Sequence, residues 1–173
     1  MKPILAISAM LFVVPTAVLA DSHGCAVNMS VRFVEGAPVD RFVITNESKV
    51  AIAQAEVLFD LRPSVGKLIF DTQSGGSGVE VFQPFQSEDT TLDVADGAEG
   101  LRMPLNGLAG KASTSFSIDV DDRLIASELG QIRVSGSEMQ GAVVTVVVGT
   151  DSYGAVFDGK NKAVFGADCA DTI

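Results

Sequence analysis

From residue 27 onward, apolar and polar residues alternate along much of the chain. Val27, Met29, Val31 and Phe33 alternate with Asn28, Ser30 and Arg32. A two-residue period over this length predicts a strand with one buried face. Gly36, Pro38 and Asp40 mark a turn, because they supply the backbone angles that turns need. Arg41–Thr45 then predicts a second strand, stopped by Asn46-Glu47-Ser48. Residues 51–61 fit a strand or a short helix, and Val57-Leu58-Phe59-Asp60-Leu61 favours a strand at its end. Residues 67–71 predict a short strand before a flexible Gly/Ser loop over 72–78. Residues 79–83 read as a strand ended by Pro84, and 86–99 as an acidic loop.

The second half continues in the same way. Leu101–Leu105 carries Pro104, which suits an edge strand. In 113–120, Phe116, Ile118 and Val120 alternate with Ser115, Ser117 and Asp119, so one continuous strand is expected. Residues 123–129 fit one or two helical turns, and 131–135 a strand. Ala142–Val148 is almost wholly apolar, the pattern of a central strand covered on both faces; its other reading is an edge strand that pairs with another chain. Residues 153–157 and 162–165, joined through Asp158-Gly159-Lys160-Asn161, read as a closing hairpin. About nine to eleven short strands with turns every eight to twelve residues predict an all-β sandwich or barrel.

The N-terminus breaks this pattern. Lys2 precedes an apolar run, Pro15 interrupts it, and Val18-Leu19-Ala20 offers small residues for cleavage. These features define a signal peptide over residues 1–20, and the run is too short to cross a bilayer core of about 30 Å. The expected mature protein is one domain over residues 21–173, secreted or periplasmic, with no later membrane span. Cleavage leaves 11 basic against 22 acidic residues. So acidic a chain lacks the basic footprint of a nucleic-acid binder. Cys25 and Cys169 are the two cysteines, and in an oxidising compartment they are expected to form a disulfide that ties the two ends together.

Catalytic chemistry is poorly provided for. The one histidine, His23, stands beside the cleavage site, so a serine triad lacks its base and zinc lacks its ligands. Phosphate-loop and dinucleotide fingerprints are missing. Asp60, Asp71, Glu80 and Asp119 lie on or near predicted strands and offer carboxylate pairs of the glycosidase kind, but no Trp and a single Tyr furnish a sugar cleft. Calcium suits the composition better, since it takes carboxylate and carbonyl oxygens. Asp119, Asp121 and Asp122 form the leading candidate set, at the end of a predicted strand. Asp93, Asp96 and Asp151 are further candidates, although Ala95 breaks an EF-hand pattern.

Several segments together resemble one family. They are residues 31–38 (VRFVEGAP), 40–46 (DRFVITN), 68–71 (LIFD), 78–85 (GVEVFQPF) and 117–122 (SIDVDD), with the C-terminal Cys169. They are similar to the small secreted bacterial proteins labelled aggregation factor core proteins. The strands around Thr45-Asn46 and Ser115–Asp119 also resemble immunoglobulin-like adhesion modules, some relatives of which, the Calx-β type, bind calcium at strand-end carboxylates. The resemblance implies a single immunoglobulin-like β-sandwich and a non-enzymatic adhesion or aggregation role, calcium-assisted, with a cell-surface glycan or a like protein as partner. It leaves two alternatives: a small-ligand-binding sandwich, and a carboxylate-dependent hydrolase.

Overall fold

The computed structural model describes residues 27–36, 39–79, 81–124 and 133–166. The predicted signal peptide, His23, both cysteines, Glu80 and most of the 123–129 segment lie outside the described residues. The elements, in order, are β1 Met29–Val34, β2 Arg41–Asn46, β3 Ala55–Asp60, β4 Ile69–Asp71, β5 Gln86–Ser87, β6 Gly100–Leu105, β7 Ser113–Ser117, β8 Asp119–Asp121, α1 Gly136–Met139, β9 Val143–Val148, β10 Asp151–Val156 and β11 Lys162–Val164. They build an all-β fold of two antiparallel sheets and a two-stranded ribbon. One sheet runs β11-β1-β2-β7-β5, the other β10-β9-β3-β6, and β4 pairs with β8.

Period-two alternation decides which face is buried. Met29, Val31 and Phe33 of β1 pack inward with Phe42 and Ile44 of β2, while Arg32 and Arg41 face out. From the other sheet come Val57 and Phe59 of β3, Leu101 and Met103 of β6, and Val144 and Val146 of β9. Phe42 sits at the centre. Its ring lies 5.0 Å from Phe116, 5.1 Å from Phe59 and 5.2 Å from Phe33, within the range where tilted and offset aromatic pairs attract. Asn46 ends β2 inside the structure. Its Nδ2 donates to the carbonyls of Val50, Leu108 and Ala109 at 2.8, 3.1 and 3.2 Å, and its Oδ1 accepts from Ser48 N. One side chain thereby ties the end of β2 to the bends at 48–50 and 108–109, adding to the backbone bonds that Leu108 and Ala109 already make with Ile52 and Ala112.

Five expectations change. Residues 162–164 do not pair with 153–157: β10 folds back on β9, and β11 joins β1 in the other sheet. The tight turn sits one connection earlier, where Gly149 takes a positive φ of 60°. Asp158 instead caps the crossover, its Oδ1 accepting from Lys160 N and Lys162 N. The strand over 113–120 is two strands. At Ile118 the backbone leaves β2, donating to Asp40 O at 3.2 Å, and continues as the partner of β4. Residues 133–135 lead into α1 rather than forming a strand, and Ser135 N donates to Glu138 Oε2 at its start. Residues 81–83 are irregular, and Gln86–Ser87, in the predicted loop, pairs with β7. Finally, β9 is the expected central strand, lying between β10 and β3, but its second face is half-buried and not fully covered.

Candidate metal centre

The ribbon β4–β8 positions the acids. Its register pairs Ile69 with Asp121, Phe70 with Val120 and Asp71 with Asp119. Strand side chains alternate between faces. Phe70 and Val120 therefore enter the core, and Asp71, Asp119 and Asp121 share the opposite face. That face is not open to water: the three are 0%, 4% and 1% exposed. The chain that follows β4 covers them. Val79 N donates to Asp121 Oδ2 at 2.8 Å. Gln83 N donates to Asp71 O and Gln83 O accepts from Asp119 N, so this residue stitches the cover to both strands. Gly78 lies so close that an added Cβ would collide with Asp121 Oδ2 and stand 2.6 Å from Asp71 Cγ.

One oxygen from each of the three carboxyl groups falls within 4.8 Å of the others. That is about twice a calcium–oxygen distance of roughly 2.4 Å, the span of one ion's ligand shell. Both oxygens of Asp71 and Oδ1 of Asp121 are buried without a hydrogen-bond partner. None of the ion pairs among the described residues involves Asp71, Asp119 or Asp121. Buried polar atoms are ordinarily paired, and a buried carboxylate with neither donor nor cation is strongly disfavoured.

Protons take the place of a counter-charge. Burial, and then the charges of Asp121, Asp40 and Asp71, push Asp119 up to about 8. Burial, followed by the adjoining carboxyl of Asp96 and the charge of Asp121, pushes Asp71 up to about 7. Asp121 is raised as well, chiefly by burial and against the pull of Val79 N. Asp96 behaves oppositely. Its oxygens accept from Thr72 N at 3.0 Å and Ser77 N at 2.6 Å, and these amides hold it down at about 2. Asp40, behind the ribbon, accepts from Gly36 N and Val120 N, yet burial still raises it to about 7.

Of the sequence candidates, the structure brings together Asp119 and Asp121, not Asp122. As the next residue along, Asp122 points elsewhere. Its Oδ1 accepts from Leu124 N at 2.8 Å, and its Oδ2 is buried without a partner. Asp71 takes its place across the ribbon. The signal for Asp71 was present as Ile69-Phe70-Asp71, an apolar-then-acid strand end matching Ile118-Asp119, but pairing across strands is needed to join them. Asp96 borders the site, while Asp93 and Asp151 are exposed at a distance from these contacts. Asp60 belongs to an ion pair with Arg62 at 2.7 Å, whose hydrogen bond holds its carboxyl low.

The donor set is oxygen only. That chemistry suits a hard divalent ion and gives zinc nothing it prefers. Orphaned buried oxygens, a matched ligand span and a glycine where no side chain fits are mutually consistent with calcium. No family model matches the chain, and neither the curated proteins nor the solved structures contain a match.

Proposed function

We propose that the mature chain is an exported, non-enzymatic adhesion or aggregation module that carries one calcium ion and binds a glycan or a like protein. The observation that carries the calcium reading is Asp71: fully buried, both oxygens unpartnered, facing Asp119 and Asp121. The adhesive role and the immunoglobulin-like type of sandwich follow from the resemblance to aggregation factor core proteins, and the secreted or periplasmic destination from the signal-peptide pattern of residues 1–20. A disulfide between Cys25 and Cys169 follows from two cysteines in an exported chain.

Two features support it over the alternatives. The carboxylates lie under Gly78 and Val79, whereas a hydrolase needs them at a cleft. The space between the sheets is filled by Phe33, Phe42, Phe59, Phe116 and Phe157, where a small-ligand carrier needs a pocket. A glycan has a surface instead. A groove of about 840 Å³ runs over β2, β5 and β7, lined by Arg41, Gln86, Ser87, Ser115 and Ser117 among others. Hydroxyl, amide and guanidinium groups on a shallow surface match the hydroxyls of a saccharide.

Sedimentation velocity over a concentration series, on protein beginning at Asp21, tests the proposal. Association in calcium that reverses with a chelator is the expected result. A monomer indifferent to calcium, with no heat of calcium binding, overturns it.

A further inference from the structure

We infer that the ion held by Asp71, Asp119 and Asp121 is an internal clasp that closes residues 72–83 over the β4–β8 ribbon, and that it makes no bond to the adhesion partner. This rests on the calcium reading above and concerns what the ion does there.

A calcium ion that bridges to a saccharide must keep coordination positions open to solvent. Here the three acids are 4% exposed or less, and the cover touches them directly. Val79 N occupies one oxygen of Asp121, Gly78 packs on Asp71 and Asp121, and Gln83 holds both strands through its backbone. A partner approaching this face meets the cover, not the ion. Calcium takes about six to eight oxygens, more than three monodentate carboxylates supply. The remainder must come from second carboxylate oxygens, from backbone carbonyls of the cover or from enclosed water.

The same contacts tie the order of the cover to the ion. Residues 73–77 are exposed, and Phe82 keeps 40% of its surface in water, so little apolar burial holds this stretch. Its anchors are polar: Thr72 N and Ser77 N on Asp96, Val79 N on Asp121 and Gln83 on the strand ends. A glycine-rich loop with so few buried contacts opens at low free energy. A bound cation draws the three carboxylates together beneath the cover, and without it only these few polar anchors hold the stretch closed. Calcium dependence of adhesion then arises because the ion sets the shape of the exposed 73–77 surface.

Hydrogen exchange read by mass spectrometry, on the chain from Asp21 with calcium or with a chelator, tests this alongside calcium calorimetry. Calcium is expected to slow exchange at least tenfold in peptides covering 72–83, with β1, β2 and β9 unchanged. Asp71→Asn is expected to lose both the heat of calcium binding and the protection. Should that variant fail to fold, Gly78→Ala, which keeps all three acids, is expected to lose the protection. Calcium binding without slower exchange in 72–83 overturns the clasp and leaves the calcium reading standing. So does a calorimetric signal in which a monosaccharide binds only to the calcium-loaded form while exchange in 72–83 is unchanged. Absence of any heat of calcium binding overturns the calcium reading and the clasp together.

Discussion

Asp119→Asn is expected to stabilise the calcium-free protein at neutral and higher pH and to destabilise the calcium-loaded one. The wild-type carboxyl moves from an ordinary 3.8 to about 8 on folding. Between these values the folded form keeps a proton that the unfolded chain has released. Stability of the calcium-free wild type therefore falls as pH rises from 4 to 8. Each unit is worth about 1.4 kcal/mol, and about three units are traversed by pH 7, which gives a ceiling of about 4 kcal/mol. Screening by nearby water and relaxation of the neighbouring carboxyls reduce this by about half. Asparagine keeps the shape, cannot ionise, and offers its NH2 to the unpartnered oxygens of Asp71 and Asp121. The expected gain in chelator at pH 7 is about 2 kcal/mol, or roughly 4–8 °C in Tm for a domain of this size. At pH 4 the gain shrinks to a few tenths of a kcal/mol, since the folded carboxyl is protonated and the unfolded one is close to half protonated. With calcium at a hundred times its Kd, the wild type gains about 2.7 kcal/mol that a weaker-binding variant does not, and the order reverses. Thermal unfolding at pH 4 and 7, each with calcium or chelator, checks all four arms. A variant less stable than wild type by the same margin in every arm refutes the reasoning, because the carboxylate would then be a net favourable contact.

Three further outcomes follow from contacts described above. Calcium uptake at pH 7 should release about one to two protons from Asp71 and Asp119, and the apparent affinity should rise between pH 6 and 8; calorimetry in buffers of different ionisation enthalpy measures the proton count. Asn46→Ala removes the amide that joins the carbonyls of Val50, Leu108 and Ala109, each of which keeps a second donor, and should cost about 1–2 kcal/mol by urea unfolding, with serine at position 46 recovering little because it cannot span three acceptors. Phe42→Ala empties the centre of the aromatic cluster and should cost about 4 kcal/mol; a loss under about 1 kcal/mol would mean that the rings are not packed as described.

How far the sequence reveals this fold depends on the range of the interaction that decides each feature. Alternation is local, so β1, β2, β6 and β9 lie close to where the pattern puts them. Pairing is not local. Nothing within residues 151–165 says that β10 turns back on β9 while β11 crosses to β1; the positive φ at Gly149 and the crossover at Asp158 settle it. The 79–83 stretch has strand composition, but Val79 N is taken by Asp121 and both backbone bonds of Gln83 go to strand ends, so no ladder forms. The site shows the same limit. Sequence proximity suggests Asp122 beside Asp121, whereas the pleat turns adjacent residues to opposite faces and the register brings in Asp71 from 48 positions away. Residue type and two of the three members were legible, and the partner across the ribbon was not.

Pro104 lies in β6, the outer strand of the four-stranded sheet, opposite Glu56, and Arg102 beside it pairs with Glu56 at 2.8 Å. A proline has no amide hydrogen to give an added strand, and charges along a rim discourage one. The opposite rim, β10, carries Tyr153, Gly154, Ala155 and Val156, with Val156 58% exposed and no proline in the strand. Strand addition to this sheet therefore has one permissive side and one forbidding side. Two copies meeting through β10 would satisfy each other and leave only β6 rims outward, so growth by this route ends at a pair rather than running on into a fibre.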